Sequence, residues 1–292
     1  MRVTDRSAAY GTLAGLQSAA SRLASLQGQL SSGRQITSPS DNPAGTVRAL
    51  SLRAEAKRYS QYDASASDAI GWLSTADAAY TRAVALVQDV RTLVVQGLNT
   101  GVQSAGASAA LADQVDAIRT SLIKVGNTSY NGRPIFGGTT SGAAAYDTSG
   151  NYIGDTGTVS RTVGEKVTVQ INQTGPQAFG SGSADLFTLL SDISTNLRTN
   201  PSALSANLTA LDGALSTISS AQAGEGAAYR QVQNAQAVSS GVATNLASQL
   251  SDIQDIDLAE MAVQVTSANV TYQAALQTTA NVRQLSLLEF LR

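Results

Sequence analysis

The chain is 292 residues long, with 42% hydrophobic residues but only 5% aromatic and 14% charged, and a formal net charge of −2. It contains no Cys and no His, which excludes disulfides and closes the usual thiolate and imidazole routes to catalysis and metal binding. The charge argues against a general nucleic-acid binder. Much of the hydrophobic share is Ala, so long helices with thin apolar seams are expected rather than a thick core.

The chain opens MRVTDRSAAYGTLAGL, with Arg2 and Arg6 but no continuous apolar stretch before a cleavage site. No run of about 18 apolar residues occurs, so no membrane-inserted helix is expected. The protein is expected either to stay in the cytoplasm or to leave it without a cleaved signal. Leu13, Leu16, Ala20, Leu23, Gln27 and Leu30 then recur at alternating steps of three and four, a heptad seam with one polar member. Such a stripe serves ordinary core packing or, being this narrow, a matching helix.

The stretch LSSGRQITSPSDNPAG, Leu30 to Gly45, interrupts the pattern. Gly33 suits the left-handed backbone that ends a helix, and Pro43 suits the first turn of the next, with Asn42 or Asp41 as its cap. Ser31, Gly33, Pro39, Asp41, Asn42, Pro43 and Gly45 are the candidate residues of this joint. Read without further context, it is a loop between two helices.

The seam returns at Tyr59, Tyr62, Ala66, Ala69, Leu73, Ala76, Tyr80, Ala83, Val87, Val90 and Val94. A helix from roughly Ala44 to Leu98 would be about 80 Å long at about 1.5 Å per residue, a rod rather than a globular element. Gly97, Asn99 and Gly101 close it. A third helix with Leu111, Val115, Ile118, Leu122 and Val125 follows, and the preceding helix is its expected antiparallel partner.

From Ser129 helical spacing vanishes. Tyr146 and Tyr152 flank a turn at Asp147–Asn151, and Val159, Arg161, Val163 and Val167, Val169, Ile171 alternate at period two around Gly164-Glu165-Lys166. These predict β-hairpins in a small domain over residues 129–184. Helix resumes at Asp185 with Leu186, Leu189 or Leu190, Ile193 and Leu197, stops at Asn200-Pro201, and resumes through Leu204, Leu208, Leu211, Leu215 and Ile218 toward Gln249. The last seam is Leu258, Met261, Val265, Ala268, Tyr272, Ala275, Thr279 and Val282, ending in Leu285, Leu287, Leu288, Phe290 and Leu291. Residues 1–60 carry eight basic and three acidic side chains, whereas residues 245–292 carry five acidic and two basic, so the two ends are complementary in charge.

No catalytic, cofactor-binding or metal site is expected, and none of the residues is assigned to enzyme chemistry. Gly224-Glu225-Gly226 lacks the third glycine and the preceding strand of a dinucleotide fingerprint. The DTSGNYIGD stretch, Asp147 to Asp155, lacks the alternating carboxylates and final Glu of a calcium loop, and a hairpin turn is the better reading.

The reading is therefore mainly α with an inserted small β-domain. The long antiparallel bundle or coiled coil pairs its N- and C-terminal helices, leading out to the insert and back. The expected divisions are residues 1–35 with 248–292, residues 36–128 with 185–247, and the insert at 129–184. Leu13, Leu16, Leu23, Leu30, Leu258, Met261, Val265, Tyr272, Val282, Leu287, Leu288, Phe290 and Leu291 are candidate assembly seams, expected to order on assembly.

The joint LSSGRQITSPSDNPAG resembles the signature of the flagellin superfamily. MRVT, Gln61-Tyr62, Trp72-Leu73, SYNGRPIFGGT at Ser129–Thr139, DLAE at Asp257–Glu260, YQAAL at Tyr272–Leu276 and the final SLLEFLR resemble one branch of it, the hook-associated protein 3 branch. The resemblance implies a self-polymerising adaptor zone of the bacterial flagellum, between hook-associated protein 1 and the flagellin filament. It also implies extracellular placement through the flagellar type III export apparatus and an export chaperone on the C-terminal helix. It implies an inner shell built from the paired termini, with the joint between shells. The alternatives are a minor flagellin subunit and, from another class, a cytoplasmic coiled-coil scaffold.

Overall fold

The structure, a computed structural model, describes residues 2–99 and 105–290, with side chains other than those of residues 2–9, 105, 183 and 281–290. Helix α1 (Arg2–Ser32) is followed by α2 (Pro43–Leu98) and α3 (Ala105–Gly126). Strands β1 (Ser129–Tyr130), β2 (Arg133–Pro134), β3 (Ser160–Gly164) and β4 (Val167–Gln170) come next. After them stand α4 (Gly175–Phe179), α5 (Leu186–Thr199), α6 (Leu204–Gln254) and α7 (Leu258–Phe290). The fold is mainly α with a small inserted β region. The chain divides into two compact units, Met1–Arg58 with Val242–Arg292, and Tyr59–Gly241.

In the Tyr59–Gly241 unit the helical period does its expected work. Every seam position of α2 from Ala66 to Val94 is buried, and Trp72 and Ala79 widen the stripe into a face. A strict seven-residue repeat drifts around a helix of 3.6 residues per turn, so neighbouring positions share the inward side. Tyr59 and Tyr62 are half-buried and meet edge to face at 5.7 Å.

Helix α3 contributes Leu111, Ala112, Val115 and Leu122 to the same core. Its backbone lies nearest α5, however, and not α2 as chain order suggested. Small residues permit that approach: Ser194 Oγ donates to the Ala112 carbonyl at 3.4 Å. Arg198 then donates to Asp113 at 2.6 Å and Asp116 at 3.0 Å, and Arg119 to the Phe187 carbonyl at 2.9 Å. The order of these pairs makes α3 and α5 antiparallel.

The insert is two hairpins on an aromatic core. Strands β1 and β2 pair Tyr130 with Arg133 across Asn131-Gly132, both at positive φ, as a tight two-residue turn requires. Strands β3 and β4 pair Arg161 with Val169, in the expected hairpin, with an irregularity at Gly164. Tyr146 and Tyr152 bridge across the Asp147 turn. Phe136 and Phe179 pack at 4.9 Å, Tyr80 and Phe136 at 5.3 Å, and Tyr146 and Phe187 at 4.6 Å. Such tilted and edge-on pairs add to the area they bury. Asn127 pins the loop, its Oδ1 accepting the Ala145 and Tyr146 amides at 2.8 Å. Asp68 anchors β3 through Arg161 at 2.8 Å.

Among the described residues no helix is long and apolar enough to cross a membrane.

Candidate assembly joint and helix seams

Helix α1 ends where Gly33 adopts φ +68°. The Gly33 carbonyl accepts the Ile256 amide at 3.3 Å, and the Gln35 amide donates to the Gln254 carbonyl at 2.7 Å. Arg34 and Asp255 therefore form an isolated antiparallel bridge. The joint is clasped to the break between α6 and α7. Arg53 reinforces the clasp, donating to Gln254 Oε1 at 2.9 Å.

Asp41 organises the turn. Its carboxylate accepts the Ser38 amide at 2.7 Å, the Thr37 amide at 3.0 Å and both hydroxyls at 2.9 Å. These bonds, the Ser38 amide foremost, hold its pKa down at about 2. The cap of α2 is Asn42, whose Oδ1 accepts the Gly45 amide at 2.8 Å while Pro43 fills the first helical position. A Cβ on Gly45 would lie 2.8 Å from Ile36 Cδ1, so Ile36 closes over the first turn of α2. Ser31 lies exposed in the last turn of α1, and Pro39 is exposed in the turn ahead of Asp41. Asp257 caps α7 by accepting the Ala259 amide at 2.8 Å and the Glu260 amide at 3.2 Å.

Helices α1 and α7 pack against each other. On α7 the inward positions are Met261, Val265, Ala268, Tyr272, Ala275 and Thr279, the expected seam without Leu258, which is 65% exposed. On α1 the phase is shifted. Leu16 and Leu23 are half-buried, Leu13 is 42% and Leu30 36% exposed, and Leu26 is the buried residue. Leu26 stands three residues after Leu23 and four before Leu30, a spacing that gave it equal claim. The seam side chain of Val282 and those of Leu287, Leu288, Phe290 and Leu291 lie outside the described residues.

Among the described residues no ion pair joins α1 to α7, despite their complementary charge. Asp257 serves the backbone as a cap and Asp255 accepts the Ser251 hydroxyl at 2.6 Å, so these acids are taken locally. Ile36, Arg53 and Gln254 were not singled out from the sequence. The last two are 201 residues apart, and no local pattern links them.

The unit's described core is thin: Leu26, Ala49, Leu52, Leu246 and Met261 are its buried apolar side chains. Tyr10, Val47, Leu50, Val263 and Val270 on the same helices are each more than half exposed. At about 1.5–3 kcal/mol per fully buried large side chain, so few residues leave much of the available apolar stabilisation unused. The Asp147 carboxylate, by contrast, is occupied by its own turn, accepting the Ser149 and Asn151 amides at 2.8 Å.

Paired terminal helices, a clasped joint and exposed apolar side chains along those helices are the marks of a helical structural protein. The bacterial flagellin N-terminal helical region matches residues 3–141 and the bacterial flagellin C-terminal helical region matches residues 208–291. The chain belongs to the flagellin family. It is 27% identical to flagellin of Bacillus subtilis over the whole of both chains. It is 24% identical to flagellar hook-associated protein 3 of Escherichia coli, over 84% of this chain and 87% of that one. A solved flagellar hook-associated protein from Vibrio parahaemolyticus has the same fold, with a TM-score of 0.69 at 18% identity, covering 74% of this chain and all of that one. The chain is thus a structural component of the bacterial flagellum that assembles with like subunits.

Proposed function

We propose that this chain forms the junction zone between hook and filament, polymerising with copies of itself. On the hook side it meets hook-associated protein 1, and on the other it seats flagellin. The observation that carries this reading is the match to hook-associated protein 3 over 84% of this chain and 87% of that protein, and the resemblance of MRVT and SLLEFLR to that branch supports it. No chemistry is required. The exposed α1 and α7 positions are covered by neighbouring subunits, and the joint at Leu30–Gly45 transmits contacts between them. The paired ends, residues 1–35 with 248–292, supply the inner shell. Export passes through the flagellar type III apparatus, with a chaperone holding the C-terminal helix, and the assembled protein is extracellular.

The full-length likeness to a flagellin supports a second reading, a minor filament subunit. Deletion of the gene separates the two. A junction protein leaves completed hooks, no filaments, and flagellin released into the medium. Filaments of normal length on the deletion strain would overturn the junction reading.

A further inference from the structure

Two outward faces of the terminal unit match each other in shape and in charge. On α7, Val263, Thr266, Ser267 and Val270 have the spacing of the four corners of a hole that receives one side chain of a second helix. They line an open trough of about 540 Å³, and Val263 and Val270 at its ends are 70% and 62% exposed. The inward seam from Met261 to Thr279 occupies another side of the helix, so packing against α1 leaves the trough free.

The start of α2 has the opposite character. Ala49 and Leu52 face the unit's own core, while Val47, Leu50, Ala54 and Lys57 recur at steps of three and four on the outward side. Val47 is 68% and Leu50 56% exposed. Lys57 and Arg58 are exposed as well, and among the described residues no acid pairs with either. The face is a set of apolar knobs with a basic end.

Charge decides which way such a face can enter. Between Leu258 and Ala280 the only charged side chain is Glu260, exposed and accepting the Gln264 amide at 3.0 Å. With Leu50 seated between Thr266 and Ser267, an antiparallel α2 carries Lys57 and Arg58 about 11 Å back along α7, at about 1.5 Å per residue, to the level of Glu260. Val47 then meets Val270. A parallel α2 would place both cations on a stretch of α7 with no acid. Because the two faces differ, every copy offers one of each, and the contact repeats from copy to copy instead of closing on a pair.

We propose that the outward face of α2 from Val47 to Arg58 docks antiparallel into the α7 trough of a neighbouring copy, with Leu50 entering the trough and Lys57 and Arg58 flanking Glu260. This rests on the self-assembly assigned above and adds which surfaces meet and in which direction. The apolar knobs supply the attraction, and the charges select the orientation.

The chain has no Cys, so introduced thiols report single contacts. Cells expressing Ala54→Cys and Val263→Cys chains together should yield, on oxidation of their sheared flagella, a disulfide-linked dimer at least ten times more abundant than either variant gives alone, read by immunoblot. Ala54→Cys with Val270→Cys tests the parallel alignment and should give no more than the single variants. Glu260→Arg, added to all chains, should lower the Ala54–Val263 link at least fivefold, and Lys57→Glu with Arg58→Glu should restore it, a rescue that misfolding would not allow. Equal linking of Ala54 to Val263 and Val270, or a linked species of another mass in which a different flagellar protein fills the trough, overturns the proposal. Flagella that contain the chain but lack the link overturn this contact alone. Absence of the chain from the flagella overturns the assembly reading with it.

Discussion

Two residues set the joint, each by a different physical cause. Gly33 holds φ +68° with nothing within 4 Å of where its Cβ would be, so a side chain there meets backbone strain alone. Gly33→Ala should destabilise the terminal unit by about 1–2 kcal/mol, read from its urea midpoint, and Gly33→Asn by clearly less, since Asn tolerates this backbone. Equal effects from both would assign the position to packing instead. Asp41 acts through charge. Its folded pKa of about 2 lies below the ordinary 3.8, so its contribution is present in full above about pH 4 and is lost as pH falls through 2. The Thr37 and Ser38 amides should lose protection from exchange over that range, and Asp41→Asn should abolish the pH dependence. A transition unchanged in the variant would rule the carboxylate out.

At the scale of elements, much was legible because side-chain period reports burial directly. The α7 seam from Met261 to Thr279 and the α2 seam from Ala66 to Val94 point inward as their spacing demands. The β3–β4 hairpin was readable from period two. On α1 the spacing was ambiguous by one residue, because Leu23, Leu26 and Leu30 fit two phases and only the partner helix chooses between them. The pairing of α3 with α5 was not readable, since it depends on close approach at Ala112 and Ser194, far apart in the chain. The Arg53–Gln254 contact was hidden for the same reason. The two α1 phases make a prediction. Leu26→Ala should lower the thermal stability of the monomer's terminal unit, by about 2–3 kcal/mol for a buried leucine. Leu13→Ala should leave that stability within about 0.5 kcal/mol and instead weaken polymerisation, measured by sedimentation. The reverse pattern would show that the exposed positions belong to the monomer's own core.

For the whole molecule the two units differ in how far the chain alone satisfies them. The Tyr59–Gly241 unit has a continuous buried cluster from Ala66 to Val232, aromatic at the insert and aliphatic along the helices. The terminal unit has five described apolar residues buried and nine large apolar side chains open to solvent, Tyr10, Leu13, Leu30, Val47, Leu50, Leu258, Val263, Val270 and Leu276. So many large apolar side chains left exposed on one unit point to a protein partner. In a flagellin-family chain the nearest source is the next subunit. The central claim, that these faces close on neighbours in a short zone where hook gives way to filament, is tested most directly by gold-labelled antibody on native sheared flagella. A single narrow band at the hook–filament boundary is the predicted result. Labelling spread along the filament, or none on the flagellum, would contradict it.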